Sequence, residues 1–424
     1  MAKRMDVYLH DVLAGHLDQD DDGLLSYTYD EHYITQPGVL ALSQSLPLRK
    51  ETYSAKECRG FFSGILPEGE KREIIARNLG ISARNDFSML EQIGGECAGA
   101  VTFMPEGHSI HEQDSQYRTV SNDQLVKILK ELPRRPLLAG EDNIRLSLAG
   151  AQDKLAIHLS ENIISLPLGN APSTHIIKPA IERFEGIVFN EALCMHLATI
   201  LGLDAARVEA RSIDSIDYLL IERYDRTAFL QTGDNAKNST LKKRLHQEDF
   251  CQALGIVSER KYQHEGGPSL KDCFRLLRET SSAPLLDLQK LLDAVIFNFL
   301  IGNHDAHGKN FSLIYNWDNK SDEVNVRLAP LYDVVCTTYY PDLSKNMAMA
   351  IGGKYKSESI LPAHFEKFAE DAGLSKPLVK KRVLELAGGV MDHLNEALYN
   401  LPKAEKVAEK IRRQVEQTIK EFKE

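Results

Sequence analysis

Residues 302–311 read GNHDAHGKNF, and their reading decides the fold. The stretch leaves the apolar run LLDAVIFNFLIG, sets Asp305 five residues before Asn310, and precedes a second aspartate, Asp333, in LAPLYDVV. Phosphoryl transfer from ATP requires such a set: one carboxylate to orient the acceptor hydroxyl and take its proton, plus an amide oxygen and a second carboxylate to hold Mg²⁺ on the phosphates. Alone, Asp, Asn and His could mark an ordinary helix exit, since they make local turn hydrogen bonds.

The surrounding segments favour the first reading. Asp305, anchored by an apolar helix, needs only correct placement and ionisation to act as a base, and an unperturbed pKa near ~4 supplies the charge. Asn310 and Asp333 offer the hard oxygens that Mg²⁺ prefers. The apolar flanks of Asp333 predict a buried strand or its exit, where a carboxylate needs a cation or an ion-pair partner. His304 and His307 raise a metal-hydrolase reading, but no HExxH or third spaced ligand accompanies them. Lys178, in the apolar strand THIIKP, is placed to reach ATP phosphates, with Glu191 on the next helix to pair with it; a solvated strand end is the alternative. LSLAGAQDKLAI sets Gly150 among small residues, so backbone amides can approach phosphate, although it is neither GxxxxGK[ST] nor GxGxxG.

The 424 residues are 43% apolar and 26% charged, as in ordinary globular proteins, and length predicts two or three packed units. A net charge of −10 gives no global field toward nucleic acid or anionic lipid. The cysteines, Cys58, Cys97, Cys194, Cys251, Cys273 and Cys336, form no CxxC pair and read as reduced core residues. Asp6, His10 and Asp11 interrupt any secretory apolar run, and the longest apolar helix is too short to span a bilayer and carries Asp293. These features predict a soluble, cytoplasmic protein.

Turn signals divide the chain near residue 107 and near 226. Residues 1–107 read as short strands around the helix EKREIIARNLG. Residues 105–116 read as a polar linker. Residues 108–226 read as strands with one helix, EALCMHLATILGL, N-capped by Asn190. Residues 229–244 read as a mobile connection or hairpin tip, and most of the chain beyond them reads as helical. The expectation is an α+β, two-lobed kinase-like fold with a strand-rich N-terminal part and an all-helical C-terminal lobe over 227–424.

SLAGAQDKLA, THIIKP, NEALCMHLATILGL, YLLIERYDR, RLHQEDFCQALG, GNHDAHGKNF and LAPLYDVV, preceded by GILPEGEKR and GGECAGAV, resemble HipA-family toxins over nearly the full chain. The resemblance implies a protein serine/threonine kinase whose fold is related to protein and phosphoinositide kinases, using ATP and Mg²⁺. It implies Asp305 as base and Asn310 and Asp333 as Mg²⁺ ligands. Ala149, Gly150, Ala151, Gln152, Asp153 and Lys154 would form the phosphate loop, Lys178 the phosphate-binding lysine, and Glu222, Arg223 and Tyr224 the adenine hinge. His307, Gly308, Lys309 and Tyr332 would complete the nucleotide site. Ser147 would be the autophosphorylated residue, and added charge beside the loop would repel ATP and switch the enzyme off.

The resemblance further implies a helix-turn-helix antitoxin of HipB type, dimeric on operator DNA, with co-repression of the operon. The acceptor would be an aminoacyl-tRNA synthetase, notably glutamyl-tRNA synthetase, and the outcome growth arrest and persistence, with no membrane involved. Lys380, Lys381 and Arg382 form a basic cluster that would either touch operator DNA or line a solvated helix face. His307, where eukaryotic protein kinases carry lysine, gives a DxHxxN order shared with lipid kinases. A small-molecule or phosphoinositide kinase, and a non-enzymatic co-repressor, are the rival readings.

Overall fold

Strict alternation builds the first sheet. In Leu25–Tyr29, Leu25, Tyr27 and Tyr29 are buried while Ser26 and Thr28 are not. In a computed structural model, which describes residues 3–108, 110, 116–230, 240–318 and 323–423, four antiparallel strands run in the order Leu25–Tyr29, Val12–Gln19, Lys3–Leu9, Val101–Pro105. Most of the expected hairpin tip and part of the 105–116 linker lie outside the described residues. Helices Ala55–Gly64, Gly69–Leu79 and Asp86–Ile93 bury Phe61, Phe62, Ile75, Phe87 and Leu90 in the same core as this sheet. The N-terminal part is thus as helical as it is stranded.

A second, six-stranded antiparallel sheet has the order Gln116–Thr119, Ile163–Leu168, Leu155–Ser160, His175–Pro179, Ile216–Glu222, Val208–Ile213. Its faces divide between two cores. Tyr218 and Leu220 join the N-terminal core; Leu219 and Ile221 join the core made by helix Ile187–Ile200 and the C-terminal helices. Residues on both sides of residue 107 share the N-terminal core.

The helix Ile187–Ile200 starts earlier than the sequence reading places it, with Gly186 at the N-cap. Asn190 is instead fully buried, and its amide both accepts from Cys336 N–H (2.9 Å) and donates to Cys336 O (3.0 Å). A buried amide that satisfies a backbone pair across the core outweighs its local capping preference.

Residues 227–424 are not all-helical. Helices Leu270–Thr280, Pro284–Ile301, Pro362–Asp371, Lys376–Ala397 and Glu405–Lys423 are accompanied by a three-stranded sheet, His246–Asp249, Ser312–Asp318 and Glu323–Leu328. Two further pairs complete the set, Arg226–Leu230 with Thr240–Arg244 and Asn346–Ile351 with Lys354–Lys356. A four-residue strand such as HQED carries too little apolar alternation to be visible in sequence. All six cysteines are buried and free. Among the described residues no helix is long and apolar enough to cross a membrane.

Candidate active site

The buried helix Pro284–Ile301 ends at Gly302, whose φ of +74° is left-handed. A Cβ there would also lie 2.2 Å from Thr338 Oγ1, so only glycine fits. The following loop is self-bonded. Asn303 Oδ1 accepts from Asp305 N–H (3.2 Å), His307 N–H donates to Asp305 O (2.8 Å), and Asn310 Oδ1 accepts from His307 N–H (3.1 Å). Asp305 thereby opens into the cleft, and Tyr262 Oη donates to its Oδ1 at 2.8 Å. Burial pushes the Asp305 carboxyl up, opposed by the Tyr262 hydrogen bond and by Lys261. Burial, then Lys261, pushes His307 down to about 3, so its ring is neutral. Gly308 lets the loop pack where a Cβ would meet Pro268 Cγ at 2.4 Å.

Asp333 sits at φ +59°, a left-handed conformation that costs a non-glycine residue about 1–3 kcal/mol and is held by its surroundings. It lies in an irregular segment, not in a strand. Lys178 Nζ bridges Asp333 Oδ1 (2.6 Å) and Glu191 Oε1 (2.7 Å), so the lysine and helix glutamate expected to pair do so. Burial would lower the Lys178 ammonium, but Asp333 and Glu191 outweigh it and the lysine stays charged. Burial raises the Asp333 carboxyl, and Lys178 and Lys154 overcome that and hold it well below the usual range. Asn310 Nδ2 donates to Asp333 Oδ2 at 3.2 Å, which sets an amide and a carboxylate side by side. The amide presents its nitrogen to Asp333 while its Oδ1 takes His307 N–H, so holding Mg²⁺ with both side chains would need the amide turned to face its oxygen to the carboxylate, with phosphate and water as the remaining ligands. Among the described residues no cluster of three His, Cys, Asp or Glu competes as a metal site.

Ala149, Gly150, Ala151, Gln152 and Lys154 line the same cleft, of about 450 Å³. Gly150 adopts φ +107°, and a Cβ on it would lie 2.6 Å from Lys154 Nζ. Burial, then Lys178, lowers Lys154 to about 8. Asp153 turns away from the cleft to Lys71 of the N-terminal part (2.7 Å), and Glu68 N–H donates to Gly150 O (3.2 Å). Ser147 is fully buried outside the cleft, its Oγ donating to Ile65 O at 3.0 Å.

At the far end Tyr224 and Tyr332 stack with ring centroids 5.5 Å apart, and Tyr332 Oη donates to Lys309 O at 2.7 Å. Glu222 lines the cleft, and its N–H and that of Arg223 are taken by Arg207 O (2.9 Å) and Thr174 O (3.0 Å). The Arg223 guanidinium points into a buried ion cluster with Asp225 and Glu96. Lys309, expected at the nucleotide, gives its ammonium to Gly64 O and Asp249, both 2.9 Å away.

The chain matches the HipA N-terminal domain family over residues 5–104 and the HipA-like C-terminal domain family over 146–397. It belongs to the HipA family. Relatives include a putative kinase, Y4mE, of Sinorhizobium fredii, 44% identical over 91% of this chain and 90% of that protein. The serine/threonine-protein kinase toxin HipA of Shewanella oneidensis is 28% identical over 94% of this chain and 90% of its own. The solved complex of Shewanella HipA with HipB and operator DNA superposes with a TM-score of 0.80 at 25% identity, covering 99% and 96% of the two chains. This HipA-family chain is a kinase, and its helix and sheet content follows that structure.

Three expectations for the HipA-family chain change in detail. Arg382 is not free for DNA, since its guanidinium binds both oxygens of Asp293 (2.6 and 3.0 Å). Lys381 faces Glu385 at 3.5 Å, and Lys380 is exposed, with no ion pair to another described residue. Asp153 is absent from the cleft lining and pairs with Lys71, while Arg223 lines the cleft with its guanidinium turned into the ion cluster. Tyr262, Lys261 and Glu68 were not read from sequence as site residues, although Lys261 and Glu68 line the cleft and Tyr262 touches Asp305. KYQHEGGP signals only a turn.

Proposed function

We propose that this HipA-family kinase transfers the γ-phosphate of ATP to a protein serine or threonine, as the toxin of an antitoxin pair. The carrying observation is that Lys178, Asp305, Asn310 and Asp333, distant in sequence, line one cleft. The acceptor oxygen bonds to the γ-phosphorus as the bond to the β–γ bridging oxygen breaks, its electron pair leaving with ADP. Asp305 takes the acceptor proton. Lys178 and Lys154 hold phosphate oxygens, and Tyr224 with Tyr332 forms the apolar end that receives adenine. Asn310 and Asp333 would hold Mg²⁺, which supplies charge neutralisation on the phosphates.

The wider role follows kinship. The Shewanella relative is solved with HipB and operator DNA, and a chain of net charge −10 suits a basic DNA-binding partner that carries it to an operator. By family resemblance the acceptor is an aminoacyl-tRNA synthetase, glutamyl-tRNA synthetase first, in the cytoplasm. A phosphate on Ser147 has no room in its buried place, so modification would unseat the 146–150 segment from Ile65 and Glu96 and displace the phosphate loop. A purely co-repressing role fits poorly with a charged cleft left open, because unpaired buried charge destabilises a fold.

Intact-mass measurement after incubation with Mg²⁺ and ATP tests the reading. Wild type should gain one phosphate, mapped to Ser147, while Asp305→Asn labels itself ~10²–10⁴-fold more slowly. Equal labelling of the two proteins would refute Asp305 as base.

A further inference from the structure

We infer that Tyr262 is a positioning residue for the reaction: its hydroxyl fixes the Asp305 carboxylate so that the second oxygen faces the acceptor. The inference rests on Asp305 being the base. Tyr262 Oη donates to Asp305 Oδ1 at 2.8 Å, which leaves Oδ2 for the incoming hydroxyl. The tyrosine is itself held. Its carbonyl accepts from Glu265 N–H and Gly267 N–H, each at 2.9 Å, and its ring meets the His307 ring edge-on with centroids 5.3 Å apart. Lys261 on one side is fixed to Glu68 at 2.8 Å, and Gln263 on the other accepts from Ala350 N–H at 2.8 Å. The Gly267–Pro268 turn that follows packs on Gly308 so closely that a Cβ on Gly308 would strike Pro268. A donor so braced against the loop it serves restricts the carboxylate to one orientation, which is worth rate because misplacement of about 1 Å can cost ~10²-fold.

Tyr262 stays a hydroxyl, since burial, then Asp305, pushes its ionisation well above the normal range. It donates to the carboxylate without competing for the proton that Asp305 must accept. The neighbouring ammonium of Lys261 faces the same cleft and offsets the charge of Asp305 and Glu68.

Tyr262→Phe keeps the ring and removes only the donor. In the full-length protein with Mg²⁺ and ATP, the maximal self-labelling rate should fall about 10- to 100-fold while the KM for ATP and the affinity for ADP stay within about twofold. Added to Asp305→Asn, the same substitution should cost little more, because both changes remove one function. An unchanged or faster Tyr262→Phe rate, the mark of a side chain that merely occupies the acceptor's place, would overturn the inference. So would parallel loss of ADP binding, which marks a structural role. If Asp305→Asn itself keeps the wild-type rate, the assignment of the base fails and the inference falls with it; if Asp305→Asn is inactive and Tyr262→Phe is not impaired, only the inference fails.

Discussion

Two clusters of charge border the cleft and are finished differently. Beside the strand Ile216–Glu222, Glu96 is held by Arg226 (2.7 Å), Arg223 (3.0 Å) and Arg244, while Asp225 is held by Arg223 (2.7 Å), Arg226 (2.8 Å) and Gly99 N–H (2.7 Å). Burial raises the Glu96 carboxyl, and Arg226, Arg244 and Arg223 bring it down to about 2. Glu96 is only 1% exposed, and this cluster is closed. In the cleft the Asp333 side chain is 45% exposed, Asp305 opens outward, and Lys154 is destabilised as a cation by burial. The difference lies in how completely each charge is enclosed and paired within the protein. The closed cluster ties the N-terminal GGECAGAV segment to residues 223–226; the open one leaves charge facing the cleft.

The comparison breaks if the two respond alike to losing one carboxylate. Asp333→Ala should lower self-labelling by several orders of magnitude while unfolding in urea changes little, because Glu191 remains to hold Lys178. Glu96→Gln should do the opposite, costing about 3–5 kcal/mol in the same urea titration because uncompensated guanidinium groups stay buried. Equal stability losses would show that the cleft is as structural as the hinge.

A third buried carboxylate sharpens the distinction between charge that is paired and charge that is not. Glu248 accepts from Ser43 Oγ, Gln44 N–H (3.0 Å) and Tyr315 Oη, all neutral donors, at the seam between the N-terminal part and the three-stranded sheet. Burial raises it from 4.5 to about 7 despite those bonds. Between these values the folded chain binds more protons than the unfolded one, so this group's stabilisation, complete below 4.5, is lost as pH rises toward about 7. Glu248→Gln should therefore flatten the stability profile between about pH 4.5 and about 7, a smaller effect than that of Glu96→Gln. A profile with the wild-type slope would place the titrating group elsewhere.

The cleft was legible where chemistry is concentrated in short motifs. Asp305, Asn310 and Asp333 announce themselves because hard oxygens at such spacing around an apolar helix have few other uses, and Lys178 because an ammonium in an apolar strand needs partners. What stayed hidden depends on contacts made across the chain. The Arg223 guanidinium is held by Glu96 and Asp225, and Lys309, expected at the nucleotide site, gives its ammonium to Asp249. The strands of 227–424 are three to seven residues long and stand among helices, so even the alternation of EVNVRL at Glu323–Leu328 is too short a signal to stand out. Tyr262 sits in a turn whose glycines explain its geometry but not its neighbour, since only the tertiary fold brings it to Asp305.

The smallest effect should come where the N-terminal part reaches the open cluster, at Lys71. Its ammonium meets Asp153 at 2.7 Å with the two side chains 17% and 12% exposed, and nearby Glu68 N–H holds Gly150 O. Both contacts set where the 149–154 loop, the proposed phosphate loop, lies. A partly exposed ion pair is worth about 1 kcal/mol, or ~5-fold in an equilibrium. Lys71→Ala should then raise the KM for ATP by about that factor and leave the maximal self-labelling rate within about twofold, because Asp305, Asn310 and Asp333 keep their own supports. A fall in the maximal rate with KM unchanged would mean that the N-terminal part acts on the acceptor side, through Glu68 and Lys261, and not on the phosphate loop.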